Sequence, residues 1–175
     1  MRERRGSLES FPDLQSLQHC TFGFHENGCS SEAFLLSIGP TNAPFYTVAR
    51  AQSDVATTPM DSEYYVASAS CKAIMHYRQL LGDWGWAPSG PTPLAMDSKT
   101  AINLVLAPGV TKNARHMLVK HHYIRQLAER KAVLPVHVTS ANMRVDILTK
   151  YLPPKNYAQA RDILLNVSVM TPLGK

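Results

Sequence analysis

No run of apolar residues in this 175-residue chain approaches the roughly 18 to 20 that a membrane-spanning helix needs. The opening stretch MRERRGSLES also lacks the apolar core of a secretory signal. Together these absences lead one to expect a soluble, intracellular protein, cytoplasmic or nuclear, that is not secreted and has no membrane partner. Cysteine is scarce. Cys20, Cys29 and Cys71 are too few and too scattered for a disulfide framework, which fits a reducing compartment. Cys20, His25 and Cys29 offer three soft ligands in a short loop, one fewer than a structural zinc site takes, so ordinary thiols are the simpler reading. Acids are outnumbered, 13 Asp and Glu against 18 Lys and Arg, and the net charge of +5 favours an anionic partner. Aspartate is missing altogether between Asp13 and Asp54.

What is present suffices for one globular domain, since 45% of the residues are hydrophobic and only 18% charged. The basic, apolar-poor start predicts a flexible lead-in over residues 1–16, a domain over 17–166 and a tail over 167–175. Three aromatic-rich apolar runs, LQHCTFGF, EAFLLSIG and PFYTVA, are separated by turn-forming HENGCSS and PTN, and predict an antiparallel meander. Then the period changes. Thr58, Pro59 and Asp61 form a capping-box-like start with proline in the first helical position. Met60, Tyr64, Ala67, Cys71, Ile74, Met75, Tyr77 and Leu81 then trace the apolar stripe of a helix ending between Gly82 and Gly85.

Beyond a Gly- and Pro-rich loop, PLAM reads as a short strand leading into Asp97. Helices are expected over 100–106 and 113–131, and VLPVHV, carrying Pro135, as an edge strand. His121 falls on the inward stripe of the second of these helices, a packing position. Residues 142–152 and 157–165 are expected to close the domain as helices around Pro153-Pro154. This order predicts an α/β fold: a mixed sheet with helices packed on its faces.

Three acids stand in three different settings: Glu63 early on the long helix, Asp97 at a strand end, Asp146 opening a late helix. Only tertiary folding can bring them together, and carboxylates are the hard oxygen donors that magnesium selects. Two such ions set about 3.5 to 4 Å apart can align water on a phosphodiester and stabilise the departing oxygen. Taken singly, each acid also has a structural explanation: a solvated helix residue, a helix N-cap and a first-turn acid. Between Lys112 and Lys131 six basic residues and three histidines face a single acid, Glu129. Such a helix is either a solvated face or a phosphate-contacting one.

Several segments, in order, resemble the ribonuclease H domain of copia-type LTR retrotransposon polyproteins. PMDSEYYVASASCKAIMHYRQLL is similar to the family's helix opened by Glu-Tyr, and MDSKTAINLVLAPG to its Asp-Asn-Lys-Ser-Ala-Ile segment. RHMLVKHHYIRQL matches a family helix at His116, His122, Ile124 and Arg125, while VDILTKYLP resembles the Ala-Asp-Ile-x-Thr-Lys-Pro-Leu segment. The upstream stretch SEAFLLSIGPTNAPFYTVARAQSDVATTP has the family's strand layout, with Gln52 in the matching place. The resemblance spans about residues 20 to 165, and it is the ordered set rather than any one motif that makes it specific.

The resemblance implies a ribonuclease H-like mixed five-stranded sheet, with strands 1–3 antiparallel and later strands added in parallel. It implies hydrolysis of the RNA strand of an RNA–DNA hybrid with two Mg²⁺ ions, Mn²⁺ serving as a substitute. Glu63, Asp97 and Asp146 would be the catalytic and metal-binding acids, and Lys112, Arg115, Lys120 and Arg125 the nucleic-acid contacts. The rest of a reverse transcriptase polyprotein would be a partner. The RERR start, without a family counterpart, favours a truncated or re-initiated frame, while the stop soon after Leu165 matches the end of such polyproteins. One departure bears on chemistry. The family carries its first acid in a Ser-Asp-Ala-Asp-Trp strand, and HCTFGFHENG here places Thr21 at that position, with Glu26 and Asp13 outside it. Loss of one shared carboxylate lowers turnover by orders of magnitude. Val145 and Tyr151 also differ from the family's Ala and Pro. A catalytically degenerate nucleic-acid-binding relic of the same fold, and an α/β interaction domain with no nucleic-acid role, are the alternatives.

Overall fold

The computed structural model describes residues 16–24, 30–38, 43–51, 59–107, 118–139, 143–149 and 151–165. The expected lead-in (1–16) up to residue 15, the loop holding His25 and Cys29, helix residues 113–117, and the expected tail (167–175) lie outside these. Strands β1 (Ser16–Phe24), β2 (Ser30–Ile38) and β3 (Ala43–Ala51) precede the 25-residue helix α1 (Pro59–Asp83). There follow β4 (Thr92–Met96), α2 (Lys99–Leu106), α3 (Leu118–Glu129) and β5 (Val133–His137). A 3-10 helix (Arg144–Leu148) and α4 (Pro154–Leu164) complete the order.

The strands form one sheet in the order β3-β2-β1-β4-β5, antiparallel from β1 to β3 and parallel where β4 joins β1 and β5 joins β4. Alternation along β2 divides the core. Leu36 faces a cluster with Tyr64, Cys71 and Ile74 of α1, Leu94 and Met96 of β4, and Ile124 and Leu127 of α3. Its neighbours Ala33 and Leu35 point the opposite way, onto Met143 and Val145 of the 3-10 segment. Successive side chains of a strand alternate faces, so helices α1 to α3 cover one side of the sheet and the 3-10 segment the other. Cys71 is fully packed, and burial pushes its thiol up to about 12, which makes it an inert core residue.

Helix α1 ends where glycine permits a turn that other residues resist. Gly85 has φ +83, its N–H donates to Gly82 O at 2.9 Å, and Trp86 N–H reaches Leu81 O at 2.7 Å, the double bond of a Schellman cap. Arg78 then donates to Gly90 O and Thr92 Oγ1, both at 2.8 Å, fastening the following loop to the start of β4. Where a helix over 142–152 is expected, the described residues form a 3-10 helix of five residues, with 151–153 in no regular element. Pro153 and Pro154 explain this, because the residue before a proline is driven out of the α region and the short segment left takes the tighter i to i+3 pattern. Pro154 then opens α4 in the first helical position, three residues earlier than expected.

Helix α3 closes with the same double bond as α1: Lys131 N–H to Ala128 O at 3.0 Å and Ala132 N–H to Leu127 O at 2.9 Å. Here a lysine holds the left-handed position, at φ 55. A left-handed backbone costs a non-glycine residue about 1 kcal/mol. Lys131→Gly is therefore expected to raise the unfolding free energy by about 0.5 to 1 kcal/mol in urea denaturation; a decrease refutes the strain.

Candidate functional site

Tyr64 fixes the rotation of α1 about its axis. It is fully buried, and its hydroxyl donates to the carbonyl of Ala101 in α2 at 2.9 Å, burial driving its pKa upward. The preceding residue, Glu63, is thereby carried to the edge of the buried stripe, where it is half-buried. Asp97 reaches the same place from the sheet. It directly follows Met96, a fully packed residue whose carbonyl accepts from Val138 N–H at 2.8 Å, so the end of β4 is held on both sides.

The two carboxylates interact. Burial pushes the Glu63 carboxyl up to about 7; a hydrogen bond with the Ser98 side chain acts against this, and the charge of Asp97 adds to it. One oxygen of the pair, Glu63 Oε2, is buried with no hydrogen-bond partner. An orphaned carboxylate oxygen beside a second carboxylate is costly unless a proton or a cation occupies the place. The donors are oxygens only, the set a divalent cation such as Mg²⁺ takes, and the pair fits such an ion.

Asp146 comes from another element. It is buried in the 3-10 segment, its N–H donating to Met143 O at 3.3 Å and its carbonyl accepting from Thr149 N–H at 3.1 Å. That segment packs on β1 and β2 from the sheet face opposite α1. Among the described residues, no three His, Cys, Asp or Glu side chains gather closely enough to hold a metal ion. The structure thus sets Glu63 and Asp97 within electrostatic reach of each other, while Asp146 enters on the 3-10 segment.

Thr21 is on β1, a strand that contacts both α1 and the 3-10 segment. Its register partner on β2 is Glu32, an acid that sequence reasoning passed over. Glu32 is buried and forms an ion pair with Arg50, its cross-strand partner on β3. Its alternation with Phe34 and Leu36 was the available signal that it points inward.

Of the expected phosphate contacts, Lys112 and Arg115 lie outside the described residues, as does the side chain of Lys120. Arg125 is described, and its donors turn inward, to Leu104 O and Val105 O, each at 3.3 Å, and to Ala107 O. Three carbonyls at the end of α2 are thus closed by one guanidinium of α3, a capping role that competes with contact to phosphate. Arg130 and Lys131 remain exposed.

No protein-family model matches the chain. Among solved structures it is similar to the N-terminal RNase H domain of Rv2228c from Mycobacterium tuberculosis, determined as a fusion with maltose-binding protein: 15% identity, 84% of this chain and 95% of that one, TM-score 0.54. RNase H1 from the halophilic archaeon Halobacterium salinarum NRC-1 also matches, at 17% identity over 76% of this chain and 90% of that one, TM-score 0.47. The first likeness, with the mixed sheet and its flanking helices, shows that the chain has the ribonuclease H fold.

Two measurements test the local assignments. Arg125→Ala should lower the unfolding free energy by about 2 kcal/mol in urea with unchanged slope, because charged hydrogen bonds to otherwise orphaned carbonyls are lost; unchanged stability removes the capping role. For Glu63, the folded-state pKa lies above the unfolded one, so its stabilising contribution is complete below about 4.5 and is lost as pH rises through about 7. The melting temperature in metal-free buffer should therefore fall between about pH 5 and pH 8 by more in the wild type than in Glu63→Gln, and parallel curves for the two refute the shift.

Proposed function

We propose that this chain is a ribonuclease H-type domain of copia-type retrotransposon origin, acting on the RNA strand of RNA–DNA hybrids with a depleted set of acids. What carries this reading is the Glu63–Asp97 pair at the end of β4, with Glu63 Oε2 buried and unpartnered. The family-like motifs around these residues and the ribonuclease H fold support it.

Glu63 and Asp97 would hold one Mg²⁺ and Asp146 contribute to a second. Bound there, the metal supplies Lewis-acid polarisation of the phosphodiester and water acidic enough to attack it near neutral pH. The chain's own groups do the rest. Burial of Tyr64 and Met96 sets the positions of the two neighbouring acids, and their low-dielectric surroundings strengthen any interaction with a cation. Lys112, Arg115 and Lys120, with the exposed Arg130 and Lys131, form the basic stretch that would neutralise substrate phosphates, Arg125 being engaged on the carbonyls that end α2. Recognition of a hybrid would rest on helix shape and 2′-hydroxyl contacts, so little sequence preference is expected. The polyprotein reverse transcriptase is the natural partner in this reading.

A second reading, a nucleic-acid-binding relic that no longer cuts, is favoured by the resemblance, which puts Thr21 where the family has its first acid, and by the lack of any group of three His, Cys, Asp or Glu able to hold a metal among the described residues. Cleavage of a labelled RNA–DNA hybrid in Mg²⁺ separates the two. For the nuclease, slow cutting by the wild type, its loss in Asp97→Asn and a gain of about tenfold or more in Thr21→Asp are expected. Hybrid binding that weakens with salt, without cutting by either wild type or Thr21→Asp, establishes the relic; flat, weak binding removes nucleic acid from the account.

A further inference from the structure

Both tryptophans of the chain stand at one place, the turn that follows α1. Trp84 is 61% exposed and Trp86 38%, and their rings meet edge to face with centroids 6.0 Å apart and planes at 82°. Indoles are the largest apolar side chains, and two of them left together on the surface mark a place where something binds.

The backbone leaves the pair little freedom. Trp84 N–H donates to Leu80 O at 3.2 Å, Trp86 N–H to Leu81 O at 2.7 Å, and Gly85 between them takes the left-handed φ of +83 that closes the cap. Downstream, the bonds from Arg78 to Gly90 O and Thr92 Oγ1 tie the far end of the loop to the start of β4. The indoles are therefore carried on a turn held at both ends.

Basic residues gather at the same end of the sheet. Thr92 N–H donates to Ala132 O at 3.0 Å, which sets the exposed Arg130 and Lys131, just before Ala132, beside the strand start that Arg78 holds. Over residues 78–92 and 129–132 the bases Arg78, Arg130 and Lys131 outnumber the acids Asp83 and Glu129. Lys131 keeps a φ of 55 where glycine would be unstrained, and backbone strain that persists on a surface points to a role outside folding. Asp97 lies past the opposite end of β4, about 16 Å from Thr92 at the rise of an extended strand, so this patch is separate from the acid pair.

We propose that the turn carrying Trp84 and Trp86, with Arg130 and Lys131, is a binding site for single-stranded nucleic acid: unpaired bases stack on the indoles and the cations take the neighbouring phosphates. Stacking needs an open base face, which a duplex hides along its length, so this ligand differs from the hybrid. Indoles also suit a protein partner, but the basic residues beside them favour one that carries phosphates. Such binding needs neither metal nor cutting, so it goes beyond the functional reading above and is open to nuclease and relic alike.

Because the chain has no other tryptophan, its intrinsic emission reports this turn alone. The test titrates the full chain, without Mg²⁺, with oligothymidylate and with oligouridylate while following that emission. Affinities are measured by anisotropy of the same strands carrying fluorescein, next to a labelled RNA–DNA hybrid. Saturable quenching is expected with both strands, since stacking does not read the sugar. Trp84→Ala and Trp86→Ala should each raise the dissociation constant for single strands about tenfold. Lys131→Gly, relieved of strain and so at least as well folded, should weaken binding and lower the slope of log affinity against log salt by about one. Wild-type single-strand affinity in both tryptophan variants overturns the site and leaves the indoles to a protein partner. Absence of single-strand binding with hybrid binding intact overturns this inference alone, whereas absence of both overturns the nucleic-acid reading of the chain as well.

Discussion

The burial of one tyrosine governs the geometry described above. Tyr64 fills the space between α1, the sheet and α2, and its hydroxyl is satisfied by a backbone carbonyl of α2 rather than by water. A buried hydroxyl without a partner is expensive, so the pairing with Ala101 restrains where α1 can lie along and around its axis. Glu63 has no such anchor of its own. Its position beside Asp97 follows from its neighbour's packing, from the rigid end of β4 and from the cap of α2.

The acids reach the sheet from different elements. Glu63 lies on α1 and Asp97 just past the end of β4, whereas Asp146 arrives on the 3-10 segment, which packs against Ala33 and Leu35. Strand β1, which carries Thr21, pairs with β4 and contacts both α1 and the 3-10 segment. Next to it in the sheet, Glu32 has found a cation within the protein, Arg50. The sheet has thus kept a buried negative charge near β1 but has compensated it internally.

Much of the architecture was legible in the chain. The alternation of LQHCTFGF and EAFLLSIG, and the three-to-four spacing from Met60 to Leu81, are local patterns that survive folding unchanged, and they gave the meander and α1. Glu63 and Asp97 were legible from their sequence contexts. Their closeness was not, because it arises from parallel pairing of β4 with β1 and from the cap on α2, which link residues far apart in the chain. The end of the domain misled for a different reason. VDILTK has a helical look, but Pro153 and Pro154 leave it too little length for an α-helix. The inward bonds of Arg125 were not legible, because a basic residue on a basic helix reads as solvent-facing and nothing local reveals that the carbonyls ending α2 lie within its reach.

Arg125 also bears on how such a domain changes over time. Its guanidinium joins α3 to the end of α2 through three backbone carbonyls, so this part of its value to the fold is independent of any substrate. Selection for a folded chain is enough to retain it. The acids behave oppositely: crowding Glu63 against Asp97 is a burden to the empty protein, and substitution at either would ease it. In a lineage released from the need to cut nucleic acid, the arginine should outlast the carboxylates, and survival of the basic motif records the persistence of the fold rather than of its chemistry.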